Sequence, residues 1–160
     1  MIRNYSVFPN TANFAIMKNS ATLGLFLFAV VLASCSSSNK LSKTLTTLSD
    51  NNWQLFSIGQ SMYSPSSGGT TPMLSFDPQN QKVNGNTGCN NFSGSFTADK
   101  DKLSFGSVGA TKMACPDMQK ETDFLNALSK TSSFSVYEGK LILKDAAGTQ
   151  LMAFDPVKKM

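Results

Sequence analysis

The chain has 160 residues, with 14 basic and 10 acidic side chains, three cysteines, no histidine and a sequence pI near 9.0. The absence of histidine excludes Ser-His-Asp and Cys-His catalysis as well as imidazole metal sites. The basic residues form no cluster and no stripe interleaved with aromatics, which argues against a nucleic-acid partner.

The first informative element is the uncharged run Leu23–Val31, preceded by Lys18 and followed by Leu32-Ala33-Ser34-Cys35. That run falls short of the roughly 20 residues a bilayer span needs, and with its small-residue end it reads as a secretory signal. A leucine and two small residues before a cysteine resemble the bacterial lipobox. Residues 1–34 are therefore expected to be a lipoprotein signal peptide and Cys35 the acylated first residue of the mature chain. Stable anchoring takes more than one acyl chain, and a lipoprotein cysteine is expected to carry several, so the expected place is the bacterial cell envelope, on the outer membrane. Met17-Lys18-Asn19-Ser20 makes a compact n-region by itself, which puts the expected translation start at Met17 and not at Met1. Residues 35–49, rich in Ser, Asn, Lys and Thr, read as a flexible tether carrying that lipid.

Without residues 1–34 the charge is nearly balanced, 12 basic against 10 acidic, and the remaining length suits one small domain over residues 50–157. Its pattern is mostly strands. Trp53–Ile58 opens the domain, Pro65–Gly69 is a loop, and Met73–Asp77 is a second strand closed by Pro78. Phe92, Gly94, Phe96 and Ala98 alternate with polar residues, and Asp99-Lys100-Asp101 turns that strand into Leu103–Phe105. Pro116 suits the first position of a helix, with Asp117 and Glu121 near its positive end and Met118, Phe124, Leu125 and Leu128 as its apolar stripe. Phe134–Tyr137 and Lys140–Lys144 form a hairpin across Glu138-Gly139, and Ala147-Gly148 leads to a last strand, Leu151–Phe154. The expected fold is mainly β (α+β), a curled antiparallel sheet or small barrel with one helix.

Two features stand out within it. Asn84–Gly94 is dense in glycine and asparagine; it reads as a demanding turn that presents Cys89, or as a recognition loop built from Asn86, Asn90 and Asn91. With Cys35 acylated, Cys89 and Cys115 remain as an even pair in an exported chain, read either as a disulfide or as two buried thiols. Two cysteines without histidine make a poor zinc site, so no metal or other cofactor is expected.

The string Gly85-x-x-Gly88-Cys89-Asn90-x-Phe92-x-Gly94 resembles the signature of the META (HslJ-like) domain family, and Ala110–Cys115 resembles its second block. Trp53-x-Leu55, the helix, Gly139-Lys140-Leu141-x-Leu143 and Leu151–Phe154 follow in the family's order. The resemblance implies a compact β fold with a lone helix in an exported or membrane-anchored protein, and it brings no agreed catalytic residues or ligand. Together with the expected export and the even cysteine count, the two matching blocks imply a Cys89–Cys115 disulfide joining the Asn-Gly turn to the start of the helix. The expected function is non-enzymatic: a lipid-anchored stress-tolerance protein that binds an envelope protein or cell-wall component. The alternative is a carrier holding an apolar small molecule inside the barrel; four of the twelve phenylalanines (Phe8, Phe14, Phe26 and Phe28) lie ahead of the domain, which weakens it.

Overall fold

The computed structural model describes residues 36–159, with side chains from residue 43. The expected signal peptide, Met17 and Cys35 lie outside these residues.

The described chain begins with helix α1 (Ser36–Ser49) and continues into β1 (Asn51–Ile58), β2 (Ser61–Met62), β3 (Met73–Asp77), β4 (Lys82–Asn86), β5 (Asn91–Asp99) and β6 (Lys102–Ala110). Helix α2 (Met118–Lys130) then leads to β7 (Ser133–Tyr137), β8 (Lys140–Lys144) and β9 (Gln150–Lys158). All nine strands belong to one sheet in the order β2-β1-β3-β4-β5-β6-β7-β8-β9, and every pairing is antiparallel. β1 also pairs with β9 from Asn51↔Lys158 to Ile58↔Met152, so the sheet curls into a ring. The expected curled, mainly β architecture is the observed one.

Period-2 patterning explains the inside of the ring. Trp53, Leu55, Leu74, Phe76, Val83, Phe92, Phe96, Leu103, Leu141, Leu143, Met152 and Phe154 are all buried and point one way from their strands. Phe76 meets Phe96 edge-on at 5.1 Å between centroids, an arrangement the ring quadrupoles favour. Gly85 pairs with Leu74 on one side and Phe92 on the other. A Cβ there would stand 1.8 Å from the Met73 carbonyl oxygen and 2.9 Å from the Phe92 ring, so only glycine fits between these strands.

The structure corrects the sequence reading in four places. Residues 36–49 form α1 instead of a flexible tether. Leu41, Leu45 and Leu48 recur at helical spacing, Leu48 is fully buried, and the Trp53 indole N–H donates to the Leu48 carbonyl at 2.9 Å. The Ser/Thr composition that suggested a linker is taken up partly within the helix, where the Thr47 hydroxyl donates to the Lys43 carbonyl, and partly against the sheet, where the Thr44 hydroxyl donates to the Lys100 carbonyl. Among the described residues there are thus two helices where one was expected. Second, α2 starts after Pro116, because the Asp117 carboxylate accepts the Lys120 N–H at 3.2 Å and makes Asp117 the N-cap. Third, the buried face of α2 is Phe124, Ala127 and Leu128, while Met118 is 63% exposed. Fourth, Asn84-Gly85-Asn86 belongs to strand β4, which leaves only Thr87–Asn90 as a turn.

The two helices meet different parts of the ring. α1 packs on β1, β3 and β5, and α2 packs on β6, β1 and β9. β6 and β7 share the single register pair Lys102↔Ser133, and α2 is the connection that bridges them in sequence.

Candidate functional site

The turn between β4 and β5 is built from its own side chains. The Asn86 Oδ1 accepts the Gly88 N–H at 3.0 Å, and Gly88 adopts φ +97°. A Cβ at Gly88 would lie 2.8 Å from the Thr70 carbonyl oxygen and 3.0 Å from the Tyr63 hydroxyl, so this position requires glycine on both counts. The Thr87 hydroxyl accepts the Asn90 N–H and donates to the Asn90 carbonyl, both at 3.1 Å. This closure places Cys89 at the tip, bonded to Cys115 with a Cα–Cα separation of 6.0 Å, inside the range a disulfide spans. The implied Cys89–Cys115 disulfide is therefore present, and it ties the turn to the segment that enters α2.

Asn90 is the organising side chain of the site. It is 2% exposed. Its Oδ1 accepts the Thr111 hydroxyl and the Met113 N–H, both at 2.8 Å. Its Nδ2 donates to Glu121 Oε2 at 2.8 Å and lies 3.1 Å from Cys115 Sγ and 3.4 Å from the Met113 carbonyl. Two donors on one side and a carboxylate on the other dictate the orientation of the amide. A second strand-like link joins the same segments: Thr111 N–H donates to the Asn91 carbonyl at 2.9 Å and Asn91 N–H to the Thr111 hydroxyl at 3.1 Å.

The three asparagines therefore do not form a common recognition surface. The Asn86 side chain is spent within the turn, that of Asn90 is buried against the segment entering α2 and Glu121, and only Asn91 is exposed. Glu121, read from sequence as a charge at the start of the helix, is the partner that receives the Asn90 amide. Their separation of 31 positions leaves no local signal of that contact.

A second polar cluster flanks the disulfide. Lys120 Nζ donates to the Ser64 carbonyl and the Ser66 hydroxyl, both at 3.0 Å, and stands 3.6 Å from Asp117 and 5.8 Å from the Tyr63 ring centre. The Ser66 hydroxyl donates to Asp117 at 3.2 Å. The capping N–H of Lys120, with Ser66 and the Lys120 charge adding to it, holds the Asp117 carboxyl below its usual range. Burial, with Asp117 nearby, raises the Tyr63 phenol. These contacts fasten the loop after β2 across the start of α2.

On the other side of Asn90 and Glu121 lies an open groove of about 420 Å³, lined chiefly by Lys112, Met113, Ala114, Met118, Thr122 and Leu125. Met113 and Met118 are 53% and 63% exposed although the backbone carrying them is held by Asn90 and the disulfide. The groove thus has flexible apolar side chains on a fixed frame, a combination suited to adaptable contact.

Comparison with known proteins agrees with the architecture. An NMR structure of a protein from Burkholderia xenovorans is 28% identical, with a TM-score of 0.59, covering 73% of this chain and 88% of that one. A crystal structure of a DUF4847 family protein from Bacteroides vulgatus, 14% identical, shares the fold with a TM-score of 0.50 over 71% of this chain and 96% of that one. No curated protein matches the chain. The META domain matches residues 46–158, a span that takes in the last turn of α1, every strand, the glycine turn with its disulfide, and α2. This chain belongs to the META domain family, which has no known catalytic role.

Proposed function

We propose that this protein is a lipid-anchored envelope protein whose META domain works by binding a partner protein, without catalysis, in support of stress tolerance. The anchor is Cys35, acylated after removal of residues 1–34, and the favoured location is the outer membrane. The observation that carries the binding reading is the placement of Met113 and Met118, exposed on a groove whose backbone is locked by Asn90 and the disulfide. Apolar side chains left in solvent on a rigid edge are a common mark of protein contact surfaces. The carrier reading draws no comparable support, because Trp53, Phe76, Phe124, Phe154 and Met152, all at 2% exposure or less, fill the inside of the ring.

The anchor and the groove are tested separately. Cys35→Ser should abolish labelling by a palmitate analogue and move the protein to the soluble fraction; unchanged membrane association would overturn the anchor. For the groove, a photocrosslinking amino acid at position 118 should give a discrete adduct in intact cells, lost when Leu125→Glu is added. The same group at position 137, on the exposed Tyr137 at the end of β7, should not give that adduct. Identical products from both positions would overturn the groove as the binding surface.

A further inference from the structure

We infer that Asn90 holds Cys89 and Cys115 in bonding position before any bond exists, so that their disulfide is a reversible latch on a site already assembled by hydrogen bonds. The inference rests on the connectivity around one side chain and does not depend on the anchor or the groove.

Asn90 follows Cys89 directly and shares its closed turn. Its amide reaches both flanks of Cys115: Thr111 and Met113 on the N-terminal side, Glu121 on the C-terminal side. None of these contacts passes through the sulfur–sulfur bond. Breaking that bond therefore leaves the loop docked, because undocking it would give up together the three bonds of 2.8 Å that the buried amide makes to Thr111, Met113 and Glu121. The reduced state is also accommodated. Cys115 Sγ lies 3.4 Å from Glu121 Oε2 and 3.4 Å from the Met113 carbonyl, so a thiol hydrogen there finds an acceptor. Cys89 and Cys115 are each half-buried, within reach of a small thiol or disulfide.

The chemistry is thiol–disulfide exchange with a small disulfide such as oxidised glutathione. One protein thiolate attacks a glutathione sulfur and releases one glutathione thiolate. The second protein thiolate then attacks the mixed disulfide and releases the other. Two electrons and two protons leave the protein, and two glutathione thiols are formed. The equilibrium constant for this exchange measures the effective concentration of one protein thiol at the other. Anything that holds the thiols together in the reduced chain raises that constant by the same factor, by thermodynamic linkage.

The test equilibrates the full chain in glutathione buffers and reads the oxidised fraction. Asn90→Ala should lower the oxidation constant about tenfold, ~30 mV for a two-electron couple. An unchanged constant, with both redox states equally destabilised, would mean that Asn90 is only structural and would overturn the inference. Should Asn90→Ala fail to fold, Asn90→Asp and Asn90→Asp/Glu121→Gln decide the matter. The first sets two carboxylates together and should lower the constant; the second restores a donor–acceptor pair of reversed polarity and should recover most of the loss. No recovery would overturn the inference. In the unmodified chain, the Met113 amide should keep its hydrogen-exchange protection after reduction; loss of that protection on reduction would be equally fatal.

Discussion

At the scale of the residue, the family signature separates into distinct physical demands. Gly85 is required because two neighbouring strands leave no volume for a Cβ, with Met73 backbone on one side and Phe92 on the other. Gly88 is required because the turn takes a positive φ under a loop that passes directly over it. Asn90 is required because one buried amide satisfies donors and an acceptor from the segment before Cys115 and from α2. Since the atom nearest a new methyl at Gly85 is backbone and cannot rotate away, Gly85→Ala should cost at least the upper end of the roughly 1–3 kcal/mol typical of overpacking. Urea denaturation checks this; a loss of a few tenths would mean that β3 and β4 can part without penalty. The glycines and the asparagine were visible as a motif, and the turn was legible from them. The reason for Asn90 was not, because its partners Thr111, Met113 and Glu121 lie 21 to 31 residues away.

At the scale of the element, α1 makes residues 36–49 part of the domain. The helix runs over Ser36–Ser49, with Leu48 buried and its carbonyl bonded to the Trp53 indole. A tether would contribute nothing to stability. A docked helix makes Leu48→Ala a core truncation, expected to cost about 2–5 kcal/mol. Measured unfolding free energies distinguish the two, and a neutral Leu48→Ala would return residues 36–49 to the status of a linker. The Ser/Thr content misled because composition reports on solvated surface, whereas three leucines at helical spacing report on a face. For α2 the pattern served better: Phe124 and Leu128 were on the expected stripe, and only Met118, in the first turn, fell outside it. A helix stripe is a property of the whole segment, and its first turn follows the cap and not the stripe.

At the scale of the molecule, the ring is closed unevenly. β1 and β9 pair along nearly their full length, whereas β6 and β7 meet at one register pair. The seam is held by Leu103 N–H to the Ser132 carbonyl at 3.2 Å and Phe134 N–H to the Asp101 carbonyl at 2.8 Å. Local opening should begin where the fewest cooperative bonds must break. The Leu103 and Phe134 amides should therefore exchange with deuterium markedly faster than those paired between β1 and β9, in an NMR exchange series. Uniform protection around the ring would show that α2 closes the seam as firmly as a strand.

What the sequence determined by itself was everything carried by local rules. Alternation made the strands, Glu138-Gly139 turned the hairpin, the glycine-rich motif made the turn, and the paired cysteine blocks identified the family and, with the even count, the disulfide. The tertiary structure alone decided which strands close the ring, that residues 36–49 dock as a helix, and that Asn90 turns inward while Met113 and Met118 face solvent. Those outcomes depend on side chains far apart in the chain competing for one small interior. A local pattern says that a side chain prefers burial; only the assembled ring determines whether any interior remains to receive it.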